Sequence, residues 1–352
     1  MMKRMCMAPV VVLVMLLTFV MAPLHANAAE EKVLNLFSWS EYFPQAALDM
    51  FEKETGIKVV YTTYESNEAM FAKLKMLEGK GYDIVVPSTY FVALMREQGL
   101  LSKIDRSKIT NFGNLDAKVL GGPFDPTNDY SIPYMWGSTG MMVNSKHVDP
   151  ATITSWKDLM RPEFKGKVLL SSDLRDTIGI ALKALGYSVN SRSEAEIKAA
   201  YEFLKELKPS VLVFNVESTK QAFIGEEVVI GMSWNGDAVI AMQENPDLKF
   251  IYPKEGLPLW LDSLSIPVGA EHKDNAHKFI DFTLRPDIAK MIVEEFLYST
   301  PNTAGWQLLP DELKNNNAVS PTDKDLAGSE FTNSVGDAKA IYEKYWEMLK
   351  TN

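Results

Sequence analysis

After residue 30, strand-like apolar runs alternate with helix-like segments along most of the chain. VLNLFSW is followed by the helical pattern PQAALDMFEKETG, in which Pro44 is well placed to begin the helix and Gly56 to end it. IKVVYTTY, NEAMFAKLKMLEGKG and YDIVVPS continue the alternation, which resumes between KGKVLLSS and EEVVIGMS. Such alternation implies right-handed crossovers and predicts an α/β fold with a mostly parallel sheet.

The length of this α/β region indicates two lobes, because residues 31–352 exceed what a single open sheet usually contains. In SIPYMWGSTG the strand pattern passes through Pro and Gly with no helix between, as expected where the chain crosses between lobes. LPLWLDSLSIP offers a second crossing. We therefore expect one lobe from residues 31–136 and 261–306, and the other from residues 137–260 and 307–352.

Residues 1–28 have the pattern of a secretory signal peptide, in which two basic residues precede an apolar run that ends in the small residues Ala26 and Ala28. A retained membrane anchor is the rival interpretation, but the run contains a proline and is short for a full span. The only cysteine, Cys6, precedes this run and is not placed to carry a lipid at the cleavage point. The mature chain then has no cysteine, which suits an oxidising compartment, and we expect the periplasm.

The charge of the chain bears on its partners. Loss of the signal peptide removes two of 36 basic and none of 46 acidic residues, so the formal net charge falls from −10 to −12. No basic stripe supports nucleic-acid binding, and polyanionic partners are disfavoured. An acidic field attracts cations, although negative charge that only keeps the protein soluble explains the count equally well.

Aromatic, acidic and hydroxyl side chains collect where the predicted strands end. They are Trp39, Ser40, Glu41 and Tyr42 after VLNLFS, Ser88 and Tyr90 after YDIVVP, Asp173 and Asp176 after KVLLSS, and Trp234 and Asp237 after EEVVIGMS. Ligands of parallel α/β sheets bind outside the carboxyl ends of the strands. Taken singly, a Trp at a strand end is more often core packing, and an Asp before a helix, such as Asp173, is usually a cap. Their joint placement favours a shared site in a cleft.

The composition of this site favours a cation. Trp260 and Asp262 in PLWLDS repeat the pairing of an indole with a carboxylate. Aromatic faces attract ammonium groups by about 0.5 to 2 kcal/mol each, and hydrogen bonds to a charged partner contribute about 1.5 to 3 kcal/mol. Arg175 is the one arginine of these motifs, whereas a binder of amino acids or phosphate needs a guanidinium for the anion. The sequence therefore predicts a ligand with a positive charge at each end and an apolar middle.

Catalysis is the alternative of a different class. Asp173 and Asp176 suit an acid and base pair, but the mature chain has no cysteine and GMSWNG departs from the G-x-S-x-G nucleophile motif. His147, His272 and His277 lie in polar stretches and are expected to face solvent, and their spacing supports a metal site only weakly. We therefore expect no catalytic residue, no metal and no cofactor.

Seven motifs of the chain resemble those of a known protein family. They are, in order, LNLFSWSEYFP, FEKETGIKVVYTTYESNEAMFAKLK, YDIVVPSTYFV, NDYSIPYMWGSTG, GMSWNGDA, WLDSLSIP and STPN. They resemble the periplasmic spermidine/putrescine-binding proteins of polyamine ABC transporters over nearly the whole mature chain. The resemblance implies the two-lobed periplasmic binding protein fold of type II, with the ligand engulfed in the cleft as the lobes close.

The resemblance also implies roles for individual residues. An aromatic box would be formed by Trp39, Tyr42, Trp234, Trp260 and Tyr298. The amines would be held by Glu41, Asp173, Asp176 and Asp262, with hydroxyls from Ser40, Ser88 and Tyr90.

Departures from the family pattern bear on which polyamine is bound. Glu41, Tyr90, Asp173 and Trp260 are similar to the spermidine type, while Ser40 and Asp237 are similar to the putrescine type. Thr332 stands where spermidine binders typically offer a glutamine amide, and Asp176 replaces the usual glutamate. The balance favours spermidine over putrescine.

The resemblance leaves two partners open. The closed form would be recognised by an inner-membrane ABC permease with its ATPase, or by a membrane sensor that reports polyamines without importing them. Nothing in the ligand site separates these two roles.

Overall fold

The computed structural model describes residues 31–215 and 219–351, so the predicted signal peptide and Cys6 lie outside the described residues. The strands are β1 (Val33–Trp39), β2 (Lys58–Tyr64), β3 (Ile84–Val85), β4 (Ile132–Asn144), β5 (Val168–Leu170), β6 (Val211–Phe214), β7 (Ile230–Trp234), β8 (Leu248–Ile251), β9 (Pro258–Leu264) and β10 (Glu330–Phe331). The α-helices are α1 (Gln45–Thr55), α2 (Asn67–Met76), α3 (Thr89–Glu97), α4 (Leu174–Ala184), α5 (Glu194–Leu207), α6 (Thr219–Ile224), α7 (Asn235–Glu244), α8 (Lys273–Thr283), α9 (Pro286–Phe296), α10 (Thr303–Gln307), α11 (Asp311–Lys314) and α12 (Lys339–Thr351).

The first part of the chain forms a parallel sheet in the order β2-β1-β3. Its first helix, α1, begins after Pro44 and ends where Gly56 takes the left-handed conformation at φ 70°, which confirms the sequence expectation. Glycine suits this position because it has no Cβ to clash there. Val85, the last residue of β3, exchanges two backbone hydrogen bonds of 2.9 Å with Ser265, which lies just past the end of β9. The small sheet therefore continues into the strand that crosses the molecule.

Two long strands connect the two halves of the fold. The first half of β4 pairs antiparallel with β9, from Ile132 opposite Leu264 to Ser138 opposite Leu259. Its second half pairs antiparallel with β7 and β8. The chain thus passes along β4 and β9 at the two places where the sequence predicts crossings, while the exact lobe boundaries stay a prediction.

The larger sheet has the order β10-β9-β4-β7-β5-β6, with β8 paired to β4. Its β5–β6, β5–β7 and β9–β10 pairs are parallel, whereas every neighbour of β4 is antiparallel to it. The prediction of a mostly parallel sheet is therefore wrong for this half. The chain enters along β4 and leaves along β9, and two such adjacent connections must run in opposite directions.

Separate apolar cores lie on the two sheets. Trp156, Phe164 and Tyr342 are buried in the core of the larger sheet, and Phe51 and Phe279 in that of the smaller one. Complete burial of these large side chains stabilises each half by about 1.5 to 3 kcal/mol per side chain. Each half of the fold therefore has an apolar core of its own.

Two of the histidines are buried and form hydrogen bonds within the fold. His272 and His277 are buried, so the expectation that they face solvent is wrong, while His147 is exposed as expected. His272 Nδ1 lies 2.9 Å from Asp83 Oδ2, and His277 Nε2 accepts a 2.9 Å hydrogen bond from the Asp105 N–H. Both rings join the start of α8 to neighbouring loops, which the polar local sequence does not reveal.

Within the described ranges 31–215 and 219–351, every helix is too short or too polar to span a membrane.

Candidate functional site

The residues of the predicted site surround one cavity of about 280 Å³. All fourteen predicted side chains line it, namely Trp39, Ser40, Glu41, Tyr42, Ser88, Tyr90, Asp173, Asp176, Trp234, Asp237, Trp260, Asp262, Tyr298 and Thr332. They come from segments that are far apart in the sequence, so only the fold brings these segments together. A cavity of this size with convergent polar groups is the usual form of a small-molecule site.

The ends of parallel strands position much of this lining, as expected. Trp39 is the last residue of β1, and Trp234 is the last residue of β7. Ser88 immediately precedes α3, and Asp173 immediately precedes α4. Two contributions come from the crossing strand instead, because Trp260 and Asp262 point from β9 into the same cavity.

Asp262 is the most enclosed carboxylate of the cavity, with 4% of its surface exposed. Ser88 Oγ donates a 2.6 Å hydrogen bond to its Oδ1, and the Tyr42 hydroxyl donates to its Oδ2. Asn67 Nδ2 in turn donates to Ser88 Oγ at 3.0 Å, which fixes the serine. Burial raises the pKa of Asp262 to about 6, although the two hydroxyl donors act to lower it. The carboxylate is thus held in place while its charge is only partly compensated.

Asp173 and Asp176 form a second carboxylate group at the start of α4. Asp173 Oδ1 accepts hydrogen bonds from the N–H groups of Arg175 (2.8 Å) and Asp176 (2.9 Å), which confirms its role as a helix cap. Trp234 Nε1 donates to Asp176 Oδ2 at 2.8 Å. Burial, together with the charge of Asp173, raises the pKa of Asp176 to about 7. Burial also raises the pKa of Asp173.

Arg175 lines the cavity beside these acids, and its positive charge acts to lower the pKa values of Asp173 and Asp176 without overcoming the effect of burial. Its guanidinium donates to the carbonyl oxygens of Asn333 (2.9 Å) and Val189 (3.3 Å), and to Asn190 Oδ1 at 3.1 Å. The guanidinium also lies 5.3 Å from the centroid of the Tyr90 ring. Arg175 therefore supports the Tyr90 wall and is not arranged to receive an anionic ligand.

Aromatic rings form the remaining walls. Trp260 and Tyr298 meet edge to face with their centroids 5.2 Å apart, and Trp39 Nε1 is fixed by a 3.0 Å hydrogen bond to the Val86 carbonyl. Behind Trp260, a Cβ on Gly137 would lie 2.3 Å from both Trp260 Cζ2 and Asn235 Oδ1. Glycine on β4 is therefore required for Trp260 to take its place.

The end of the cavity that is formed by Glu41 and Asp237 contains a lysine that the sequence reasoning missed. Lys220 Nζ lies 2.7 Å from Glu41 Oε2 and 3.8 Å from Asp237 Oδ1. Asp237 also accepts from Thr219 Oγ1 at 3.0 Å and from the Tyr298 hydroxyl at 3.3 Å. Burial raises the pKa of Asp237, and the positive charge of Lys220 partly offsets this effect.

Other lining residues were also missed, namely Tyr64, Glu65, Asn67, Ile240 and Phe296. Asn67 stands in the motif YESNEAM, so the resemblance offered a signal for it. Ile240 and Phe296 carry no polar group that distinguishes them from core residues. Arg175 was noted in the sequence but has a supporting position.

Comparison with known proteins agrees with this architecture. The family model described as bacterial extracellular solute-binding protein matches residues 46–321. The spermidine/putrescine-binding periplasmic protein of Salmonella typhimurium is 50% identical over 92% of this chain and 93% of its own. The putrescine-binding periplasmic protein SpuD of Pseudomonas aeruginosa is 33% identical over 85% of this chain and 86% of its own.

A solved structure gives the same result for the fold. The spermidine/putrescine ABC transporter substrate-binding protein PotD of Streptococcus pneumoniae superposes with a TM-score of 0.79 at 34% identity, covering 91% of this chain and 98% of that one. The predicted two-lobed α/β binding-protein fold is thereby confirmed. The chain belongs to the bacterial extracellular solute-binding proteins and, within them, to the group of the spermidine/putrescine-binding periplasmic proteins.

Proposed function

We propose that the protein binds a polyamine, spermidine or putrescine, in the cleft between its lobes and delivers it to the permease of an ABC transporter. One observation carries this proposal. Asp173, Asp176 and Asp262 line an aromatic cavity, and within the described residues none of them forms an ion pair with a lysine, arginine or histidine. Buried carboxylates of this kind favour a ligand that brings its own positive charge.

Polyamines match both parts of the cavity. Their ammonium groups compensate the buried carboxylates, whose pKa values are raised by burial. Their methylene chains pack between indole and phenol rings, which also attract ammonium groups. Under this proposal Trp39, Trp234 and Trp260 enclose the chain, and hydroxyl groups of Ser88 and Tyr42 orient Asp262.

The relatives support the transport role. The relatives named above are described as spermidine/putrescine-binding or putrescine-binding, and the solved one as an ABC transporter substrate-binding protein. These names favour delivery to a permease over the alternative of a membrane sensor. The function proposed is binding and release without a chemical reaction.

The proposal includes a location and an order of events. We place the protein in the periplasm after removal of residues 1–28, in line with the periplasmic relatives. A ligand that touches both halves stabilises the closed form through its differential affinity for that form. The predicted lobes, residues 31–136 with 261–306 and residues 137–260 with 307–352, are the bodies that close.

Calorimetric titration of residues 29–352 tests the proposal. The protein is first unfolded and refolded to remove any bound polyamine, and is then titrated with spermidine, putrescine and arginine. We expect a dissociation constant of about 1 μM or lower for at least one polyamine and no binding of arginine. Absence of heat with both polyamines would contradict the proposal.

A further inference from the structure

Lys220 places a protein ammonium group inside the cavity. Its Nζ lies 2.7 Å from Glu41 Oε2 and 3.8 Å from Asp237 Oδ1, and only 17% of its side chain is exposed. Lys220 is the second residue of α6, and Asp237 is the third residue of α7. Glu41 follows β1 of the smaller sheet, so this ion pair links the two halves of the fold.

Neighbouring groups hold this arrangement. Thr219, which precedes Lys220, donates to Asp237 Oδ2 at 3.0 Å, and the Tyr298 hydroxyl donates to Asp237 Oδ1 at 3.3 Å. Burial acts to lower the pKa of Lys220, but the hydrogen bond to Glu41 and the charge of Asp237 outweigh it and raise the pKa above its ordinary value. Lys220 therefore stays charged at neutral pH.

The cavity thus has two electrostatically different ends. At one end Glu41 and Asp237 are partnered by Lys220. At the other end Asp173, Asp176 and Asp262 form no ion pair within the described residues, and burial, together with the charge of Asp173, raises the pKa values of both Asp176 and Asp262. Arg175 acts to lower the pKa values of Asp173 and Asp176 but forms no ion pair with them, so the second end still favours cations from outside, whereas an ammonium group already contacts both acids of the first end.

We propose that Lys220 is a specificity-determining residue that fills the Glu41–Asp237 end of the cavity with its own ammonium and so disfavours polyamines that carry an additional ammonium there. This inference rests on the proposed function. Two like charges a few ångströms apart in a partly buried site repel each other strongly. A triamine such as spermidine must therefore displace Lys220 or keep its third ammonium away from this end, whereas putrescine has only two ammonium groups to place.

Lys220→Met tests the inference, because methionine keeps an unbranched apolar chain and removes the charge. The spermidine and putrescine affinities of Lys220→Met and wild type are measured by calorimetry. We expect the ratio of spermidine to putrescine affinity to rise at least about tenfold in the variant. The matched control is Lys146→Met, since Lys146 also lies between two carboxylates, Glu226 at 2.6 Å and Asp247 at 3.4 Å, but does not line the cavity. This control should leave the ratio unchanged.

A double variant separates the charge from the shape of the side chain. Lys220→Met combined with Asp237→Asn removes one charge of each sign, so the net charge at this end equals that of the wild type. We expect its affinity ratio to return towards the wild-type value. An unchanged affinity ratio in Lys220→Met, which means equal gains or losses for the two polyamines, would overturn the inference. Failure of the wild type to bind either polyamine would instead overturn the proposed function.

Discussion

The indole of Trp234 donates a 2.8 Å hydrogen bond to Asp176, which joins the end of β7 to the start of α4. Burial, together with the charge of Asp173, nevertheless raises the pKa of Asp176 to about 7. Asp176 is therefore partly protonated at neutral pH in the ligand-free protein. Binding of an ammonium group favours the ionised form, so ligand binding and proton release are coupled.

This coupling predicts that polyamine affinity depends on pH. Putrescine is the suitable probe, because its primary amines resemble that of lysine, titrate at about pH 10 and so stay charged over the range tested. As the pH rises from about 5 to about 8, Asp262 and Asp176 ionise and putrescine affinity increases, levelling off above their pKa values of about 6 and about 7. Calorimetry near pH 7 in two buffers of different ionisation enthalpy should show net proton release. A flat pH profile without proton exchange would contradict this account.

Asp176→Asn should stabilise the ligand-free protein at alkaline pH. The folded pKa of Asp176 lies above the ordinary unfolded value near 3.9, so this group favours folding less and less as pH rises between about 4 and 7. Asparagine keeps an oxygen acceptor for Trp234 and has no charge to bury. Thermal unfolding should therefore give a higher Tm than wild type at about pH 8, with a smaller difference at about pH 5.

A control for this prediction is Asp323→Asn. The Asp323 side chain is 99% exposed, so the substitution removes the same charge from solvent instead of from the cavity. Its Tm should follow that of the wild type at both pH values. A lower Tm for Asp176→Asn than for wild type at about pH 8 would show that Asp176 is stabilising in its ionised form, contrary to the pKa direction.

Gly137→Ala should weaken both the fold and the ligand site. The added Cβ would lie 2.3 Å from Trp260 Cζ2, which lines the cavity, and 2.3 Å from Asn235 Oδ1, which accepts a 3.0 Å hydrogen bond from the Ser138 N–H. Overpacking of this kind costs about 1 to 3 kcal/mol, and displacement of Trp260 should lower polyamine affinity as well. Gly113→Ala is the matched control, because a Cβ there meets no atom within 4 Å. Equal Tm and affinity for the two variants would show that Trp260 is not constrained by β4.

Much of the site was predictable because it follows from general features of parallel strands. The ends of β1 and β7 place Trp39 and Trp234, and an aspartate directly before a helix predicts the cap at Asp173. Trp260 and Asp262 lie within β9, where no strand-end rule applies, and were predicted because they repeat the pairing of an indole with a carboxylate. The resemblance adds Tyr298 and Thr332. All these residues line one cavity, while their part in ligand binding stays a prediction.

What the sequence does not reveal depends on contacts between distant segments. Lys220 stands in the short helix α6, and nothing in its local pattern indicates that its ammonium meets Glu41, 179 positions earlier. His272 lies in a polar stretch but is buried against Asp83, which directly precedes β3 and is 189 positions earlier in the chain. Likewise, the antiparallel direction of β4 follows from the path of the whole chain between lobes rather than from local periodicity.

The most direct test of the account compares the polyamine affinities of wild type and Asp262→Asn by calorimetry at about pH 8, where Asp262 is ionised. Asparagine preserves the size of the side chain and an acceptor for Ser88, with Asp323→Asn as the control for a lost surface charge. Loss of a charged hydrogen bond of about 1.5 to 3 kcal/mol predicts at least tenfold weaker binding of spermidine and putrescine, in a variant that still unfolds cooperatively. Affinities equal to those of the wild type would contradict the central claim that buried carboxylates in this cavity hold the ammonium groups of the ligand.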